Sequence, residues 1–186
     1  MAQLQTVAAN GTGAPQGAPE ALVRQFLTFM LGGEMFAMDI LGIKEIIEYS
    51  TLTEVPMMPA SVRGVINLRG SVVPVIDLAV RFGRAAAAVT KRTCIVIVEI
   101  TLNDARQDVG VVVDAVNEVL DIPQEQIEPP PTFGTRIRTD FIQGMGNVNK
   151  PRGSQERGFV ILLDVNQVLS LDELAEISGQ AEGPAT

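Results

Sequence analysis

VRGVINLRGSVVPVIDL, residues 62–78, is the stretch of sequence that most constrains the fold. Two β-branched runs flank a turn at Arg69-Gly70, and Arg63-Gly64 stands at the entrance of the first run. Runs of Val and Ile on either side of a glycine-containing turn are typical of a β-hairpin. Pro74 cannot donate a hydrogen bond to a sheet, so the second run is predicted to be an edge strand or to carry a bulge.

The arginines and glycines of this hairpin have two interpretations. The structural one treats the glycines as backbone requirements and the arginines as solvated turn residues. The functional one starts from the guanidinium, a planar group with several donors that suits a partner's carboxylates or carbonyls. Turns between rigid strands are also where binding residues commonly lie. The residues by themselves leave both interpretations open.

Short apolar runs separated by Gly, Pro and Asn extend on both sides of this hairpin. A Gly32-Gly33 turn joins the runs 25–31 and 34–40 into a second predicted hairpin. Further candidate strands are 44–49, 92–102, 108–113, 117–122, 141–148 and 157–163. About ten short strands with frequent turns predict a mainly β fold, either a sandwich or barrels. Helices are predicted to be minor: a turn or two after Asp77, and a short helix that begins with the capping box at 170–173.

Composition excludes several classes of function. The 186 residues include no histidine, the commonest general base and metal ligand, so imidazole-dependent metal sites and Ser-His-Asp or Cys-His systems are excluded. A net charge of −8 and a single Tyr with no Trp argue against nucleic acid as a partner. The hydrophobic fraction of 46% is ample for a packed core. We therefore expect a protein that binds other proteins and is not an enzyme, with no cofactor and no metal.

Three aspartates and one cysteine were weighed as candidate sites. Asp77, Asp114 and Asp164 each follow an aliphatic run, which would suit either a carboxylate cluster that holds a metal or the capping of successive turns. Their spacing matches no metal loop, so capping is predicted. Cys94 lies among Ile and Val and is predicted to be a buried small hydrophobic residue, not a reactive thiol.

The two ends of the chain differ in composition from its middle. Residues 1–21 are rich in Ala, Gly, Gln, Thr and Pro without an apolar period, and 179–186 are similar, so both are predicted to be flexible tails around a domain at 22–178. No apolar run approaches the roughly 18 residues of a membrane helix, and no secretory signal begins the chain. The expected location is the cytoplasm.

Beyond these patterns, GVINLRGSVVPVIDL closely resembles the signature hairpin of the CheW family of bacterial chemotaxis coupling proteins. The resemblance extends over roughly residues 24–177. QFLTFMLGGEMFAMDILGIKEI resembles the opening block of the family, DVGVVVDAVNEVLDIPQEQIEPPP its middle block, and FIQGMGNVN with FVILLDVNQVL its closing block.

The resemblance implies a fold of two small five-stranded SH3-like β-barrels packed together, divided near 88–91, with terminal elements able to cross over. It implies an adaptor that couples transmembrane chemoreceptors to the histidine kinase CheA, binding the kinase's regulatory domain and the cytoplasmic tips of the receptors, and that helps to build the signalling array. It further implies a cytoplasmic protein associated with receptor arrays, monomeric outside them and not inserted in the membrane. The positions that match the family's contact region are Ile43, Glu45, Ile46, Arg63, Gly64, Asn67, Arg69 and Gly70. Asn67 belongs to the same turn, where a structural role is also open.

Three alternatives remain beside this interpretation. The same fold could serve another chemosensory system that controls pili, gliding or gene expression. A small barrel enzyme or metabolite binder could use the aspartates, and an oligonucleotide-binding barrel could share the strand pattern. The absence of histidine disfavours the enzyme, and the acidic charge with few aromatics disfavours the nucleic-acid binder.

Overall fold

The computed structural model describes residues 21–132, 136–149 and 157–170. These residues form eleven strands and two short α-helices, linked by turns and three 3-10 turns. The strands are β1 Val23–Leu31, β2 Glu34–Asp39, β3 Ile43–Glu48, β4 Val62–Leu68, β5 Ser71–Asp77, β6 Cys94–Leu102, β7 Ala105–Val113, β8 Ala115–Pro123, β9 Ile127–Glu128, β10 Ile142–Asn149 and β11 Arg157–Leu163. The helices are α1 Leu78–Arg81 and α2 Val165–Val168.

The strands form two sheets, so the predicted mainly β fold is confirmed. The larger sheet has six strands in the order β8-β1-β2-β11-β10-β9, and the smaller has five in the order β3-β6-β7-β5-β4. One detail of the prediction was wrong: the sheets are not two closed five-stranded barrels. Within the described residues each sheet keeps two edge strands, and one sheet has six strands because the two-residue strand β9 extends it.

Each sheet combines local hairpins with one pairing between distant strands. The hairpins β1–β2 and β4–β5 are antiparallel and match the predicted ones. The distant pairings are parallel: β2 pairs with β11, and β5 pairs with β7. The stretch 88–91 lies between β5 and β6, which belong to the same sheet, and the division of the domain there stays a prediction.

Pro74 lies on β5, which is an inner strand and not the predicted edge strand. Its partner on β4 is Val65, whose N–H and C=O both bond to Thr53 on the far side of β4. Val65 and Pro74 are therefore a pair without mutual hydrogen bonds. β7 pairs with β5 only from Val75 to Asp77, so no strand needs the hydrogen that Pro74 lacks. A bulge does occur in this hairpin, but between Val62 and Gly64 of β4 and not on the strand of Pro74, for which it was predicted.

The main hydrophobic core lies between the two sheets. Strand alternation turns one face of each sheet towards the other, and the ring of Phe36 stacks on Phe29 at 6.0 Å between centroids. Phe82 and Phe141 continue this row of rings, each step being 5.9 Å. A smaller cluster lies on the opposite face of each sheet, turned away from this core. Since one shared core joins them, the sheets form a single packed unit.

Both described helices are single turns capped by an aspartate. A helical turn after Asp77 was predicted, whereas after Asp164 only a capped turn was predicted and the structure has α2 there. The predicted helix that begins at 170–173 and both predicted tails, apart from residue 21, lie outside the described residues. Within the described ranges no helix has the length and hydropathy to cross a membrane.

Candidate protein-contact site

The turn between β4 and β5 is held in one conformation by its own residues. Arg69 and Gly70 both have positive φ, 50° and 87°, which is the geometry of a tight hairpin turn that follows the twist of its strands. The Gly70 N–H donates to Asn67 Oδ1 at 2.9 Å. The positive φ of Gly70 is a backbone requirement of the turn, and Asn67 has the structural role that was left open.

The Arg69 side chain reaches from this turn to the opposite edge of the five-stranded sheet. Its Nη2 donates to Glu45 Oε2 at 2.9 Å. Glu45 lies on β3, and β3 and β4 are the two edge strands of the sheet, so the ion pair spans the gap that the sheet leaves open. The Arg69 side chain is 79% exposed while that of Glu45 is 24% exposed. The guanidinium is thus positioned by one carboxylate and remains available to solvent.

Lys44 adds a second charged group beside this pair, and the sequence interpretation did not include it. Its Nζ lies 2.7 Å from Asp108 Oδ1 and 3.0 Å from Glu99 Oε2. These hydrogen bonds, first that of Asp108 and then that of Glu99, raise the pKa of Lys44 above its ordinary value. Lys44, Asp108 and the Glu45–Arg69 pair line one depression of about 410 Å³ on the surface.

The two predicted isoleucines pair with Val98 and Val96, which lie on one face of β6, but they differ in exposure. A bulge between Ile43 and Glu45 shifts the alternation of β3. Ile43 is partly buried and packs against the main core, whereas Ile46 is 43% exposed. Of the two, Ile46 presents more apolar area to a partner.

Arg63 and Gly64, at the entrance of the hairpin, make contacts within the fold. Arg63 Nε donates to Asp77 Oδ2 at 2.9 Å, and the Asp77 side chain is only 3% exposed. Gly64 has φ +149°, and a Cβ there would lie 2.5 Å from the Thr53 carbonyl oxygen. This ion pair could have been predicted from the sequence, because an antiparallel hairpin of β4 and β5 brings position 63 close to position 77.

Exposed apolar side chains adjoin the turn, and sequence reasoning missed them. Val72 on β5 is 70% exposed. The segment before β4 exposes Val55, Met57 and Met58 and is tied to β4 by the two backbone hydrogen bonds between Thr53 and Val65, 3.0 and 2.8 Å long. The alternation of apolar and polar residues that predicts strands could not identify this segment, because it is not a strand.

All three strand-end aspartates accept hydrogen bonds from backbone N–H groups, but only Asp77 and Asp164 cap the turn that follows them, as predicted, whereas Asp114 bonds to the turn between β1 and β2. Asp77 Oδ1 accepts from the N–H of Ala79 at 2.9 Å, and Asp164 Oδ1 from that of Gln167 at 3.2 Å. Asp114 Oδ2 accepts from Gly32 N–H at 2.8 Å. Among the described residues no group of three metal-ligating side chains comes together. Cys94 is partly buried against the main core, less enclosed than predicted.

Comparisons with known proteins bear on this site. A family model described as a CheW-like domain matches residues 25–173. The chain is similar to a chemotaxis protein CheW of Klebsiella aerogenes, 36% identical over 165 residues, which are 89% of this chain and 93% of the relative. It is 30% identical over 154 residues to a chemotaxis protein CheW of Treponema pallidum, covering 83% and 86% of the two chains.

Similarity extends to a protein of another name and to a solved structure. Protein FrzA of Myxococcus xanthus is 31% identical over 137 residues, 72% of this chain and 81% of the relative. The crystal structure of the scaffolding protein TtCheW from Thermoanaerobacter tengcongensis matches with a TM-score of 0.68 and 32% identity. It covers 84% of this chain and 93% of that one.

Proposed function

Because the chain belongs to the CheW family of chemotaxis scaffold proteins, we propose that it couples transmembrane chemoreceptors to the histidine kinase CheA and helps to build their signalling array. In this role the chain binds the regulatory domain of the kinase and the cytoplasmic tips of the receptors. It acts in the cytoplasm, at the membrane arrays, and catalyses nothing itself. The contact residues are those of the hairpin turn and the strand beside it.

The observation that carries this proposal is the exposed, fixed guanidinium of Arg69. A side chain as long as arginine loses rotamer freedom when it binds, and that loss opposes association. Glu45 and the left-handed turn hold Arg69 in place before a partner arrives, so less freedom remains to be lost. A partner carboxylate that replaces water at this guanidinium forms a charge-assisted hydrogen bond.

Apolar area next to the turn supplies the rest of a contact surface. Val72 and Ile46 are exposed on either side of the Glu45–Arg69 pair, one on β5 and one on β3. Interfaces commonly combine a desolvated charged anchor with surrounding apolar contacts that exclude water. The hairpin offers both kinds of contact within a few residues.

A binding measurement on matched arginine variants tests the proposal. Arg69→Ala is compared with Arg106→Ala, because Arg106 also has a 79% exposed side chain and also pairs with a glutamate, Glu99, at 3.4 Å. Calorimetric titrations are run with the regulatory domain of the CheA encoded beside the chain, and separately with a receptor cytoplasmic fragment. We expect Arg69→Ala to weaken one or both affinities by about thirtyfold, which is about 2 kcal/mol.

Arg106→Ala should leave both affinities within about twofold, since Arg106 does not line the depression and exposed pairs contribute little; Glu99 keeps its pair with Lys44. If Arg69→Ala binds both partners like the unsubstituted chain, the turn is not a contact site. If the unsubstituted chain binds neither partner, the coupling function itself is wrong for this chain. The receptors and kinase encoded nearby also decide between a flagellar array and one for pili, gliding or gene expression.

A further inference from the structure

Two carboxylates face each other directly across strands β6 and β7, beside the depression at the Arg69 turn. Glu99 of β6 is paired in register with Asp108 of β7, and both side chains are partly exposed. Like charges placed directly opposite each other in an antiparallel pair destabilise the sheet. Lys44 offsets this repulsion, because its Nζ lies 3.0 Å from Glu99 Oε2 and 2.7 Å from Asp108 Oδ1.

The bulge in β3 brings Lys44 to these carboxylates. The register of β3 against β6 shifts between Ile43 and Glu45, so Lys44 is the extra residue of the bulge. In a regular strand the side chains at 44 and 45 would point to opposite faces of the sheet. Here Lys44 and Glu45 both line the depression of about 410 Å³, together with Arg69 and Asp108. Two consecutive side chains therefore act on one surface.

The lining of this depression is balanced in charge although the chain is acidic. Two cations, Lys44 and Arg69, and two carboxylates, Glu45 and Asp108, line it, so their formal charges cancel, whereas the whole chain has a net charge of −8. Glu45 is paired with Arg69, and Lys44 is the lining cation that pairs with Asp108. Removal of the Lys44 charge would leave the lining with a net negative charge.

A negative depression would repel the partner group that Arg69 is suited to bind, which is a carboxylate. We propose that Lys44 determines the charge of the partner side chain that the Arg69 turn accepts. By neutralising Asp108, it allows an acidic side chain of the partner to approach the guanidinium. The inference rests on the proposed coupling function, because it concerns the partner that binds at this same turn.

Association kinetics test this role. Rates are measured by surface plasmon resonance with the regulatory domain of the CheA encoded beside the chain, and separately with a receptor cytoplasmic fragment. Lys44→Met should slow association with at least one of them about fivefold at roughly 0.05 M salt, and less than about twofold at roughly 0.5 M, where ions screen the carboxylates. Lys44→Arg keeps the charge and should keep the rate within about twofold.

Lys91→Met is the matched control for the change in net charge. Lys91 is also exposed but does not line the depression, so the same loss of one positive charge should leave the association rate within about 1.5-fold. Thermal unfolding of each variant, followed by circular dichroism, establishes that it is folded at the temperature of the binding measurement.

Asp108→Asn distinguishes charge compensation from a structural tether between β3 and β7. If Lys44 compensates charge, Asp108→Asn alone should associate as fast as the unsubstituted chain or faster. Lys44→Met combined with Asp108→Asn should then return to within about twofold of the unsubstituted rate. If Lys44 were a tether, Asp108→Asn would break the same ion pair and slow binding, and the double variant would not recover.

Lys44→Met that associates as fast as Lys91→Met would overturn the proposal. A double variant as slow as Lys44→Met would also overturn it, because Lys44 would then hold the strand or contact the partner itself. Both results leave the coupling function intact when Arg69→Ala weakens binding. If Arg69→Ala binds normally, the contact site and this inference are both wrong. If the unsubstituted chain binds neither partner, the coupling function is wrong, and this inference with it.

Discussion

The β4–β5 hairpin contains the dipeptide Arg-Gly twice, and the two copies do different work. At the entrance, Arg63 pairs with Asp77, whose side chain is 3% exposed, and Gly64 lies against the backbone of Thr53. At the turn, Arg69 pairs with Glu45, whose side chain is 24% exposed, and a Cβ at Gly70 would meet no atom within 4 Å. Arg63-Gly64 connects buried parts of the fold, and Arg69-Gly70 extends into solvent.

The difference shows that the structural environment of an Arg-Gly dipeptide, and not its residue types, determines its role. Asp77 accepts from Arg63 and from the first N–H groups of α1, so the entrance pair links the hairpin to the helix turn and to the main core. The Glu45–Arg69 pair links only two sheet edges and leaves the guanidinium exposed. We therefore expect substitutions at the entrance to affect folding, and those at the turn to affect binding.

Gly64→Ala should have the largest effect on stability. The new Cβ would lie 2.5 Å from a backbone oxygen that cannot move without breaking the Thr53–Val65 pairing, and φ of +149° adds strain. We expect a loss of about 3 kcal/mol in the free energy of unfolding. Urea titration followed by circular dichroism measures it. A loss below about 1 kcal/mol would show that the segment before β4 moves freely.

Arg63→Ala should follow, with a loss of about 2 kcal/mol. The substitution leaves Asp77 buried without its ionic partner, although the N–H groups of Ala79 and Val80 still bond to it. Arg63→Ala combined with Asp77→Asn is the informative control. If the pair accounts for the effect, the double variant loses clearly less than the sum of the single ones.

Gly70→Ala should cost about 1–2 kcal/mol of stability through backbone conformation alone. Nothing blocks the added Cβ, but φ of +87° is unfavourable for any residue with a side chain. Gly70→Asn is the matched variant, since Asn tolerates positive φ better, and should recover part of the loss. Equal stability of Gly70→Ala and the unsubstituted chain would indicate that the turn changes conformation without cost.

Arg69→Ala should have the smallest effect on stability, under about 0.5 kcal/mol, because exposed ion pairs contribute little. Arg69→Glu should cost more, since it places two carboxylates where Glu45 now has a cation. The same titrations measure both variants. If Arg69→Ala destabilises the chain as much as Arg63→Ala does, the contrast between the two ends of the hairpin is wrong, and the binding results must be corrected for unfolding.

The parts of the fold that depend on neighbouring residues could be predicted from the sequence. Gly32-Gly33 and Arg69-Gly70 mark hairpin turns, and the strands around them pair as expected. The pairings of β2 with β11 and of β5 with β7 join strands far apart in the chain, and no local pattern encodes them. The same limit explains why Pro74 suggested an edge: its strand is inner, but the third strand begins one residue later.

The candidate site was predicted in part for the same reason. The resemblance to the family gave Glu45 and Arg69, which the structure places 2.9 Å apart although 24 residues separate them. It grouped Arg63 and Gly64 with them, whereas their contacts make them part of the fold. Lys44 and Val72 were not predicted as site residues. The exposure of Lys44 depends on the bulge in β3, and that of Val72 on the position of β5 in the sheet. The role of all eight residues as partner contacts stays a prediction.

The six-stranded sheet combines strands from both ends of the described chain, so its strands are synthesised at very different times. The five-stranded sheet uses one continuous stretch, Ile43 to Val113, and can form as soon as that stretch has emerged. The β1–β2 hairpin is made first, but its partner β11 follows about 120 residues later. At ribosomal speeds of about 5–20 residues per second, the β2 edge of the hairpin waits roughly 6–24 s for its partner strand. One edge of the β1–β2 hairpin thus stays unpaired until β11, the last described strand, is made, and an unpaired strand edge can pair with another chain in the interval.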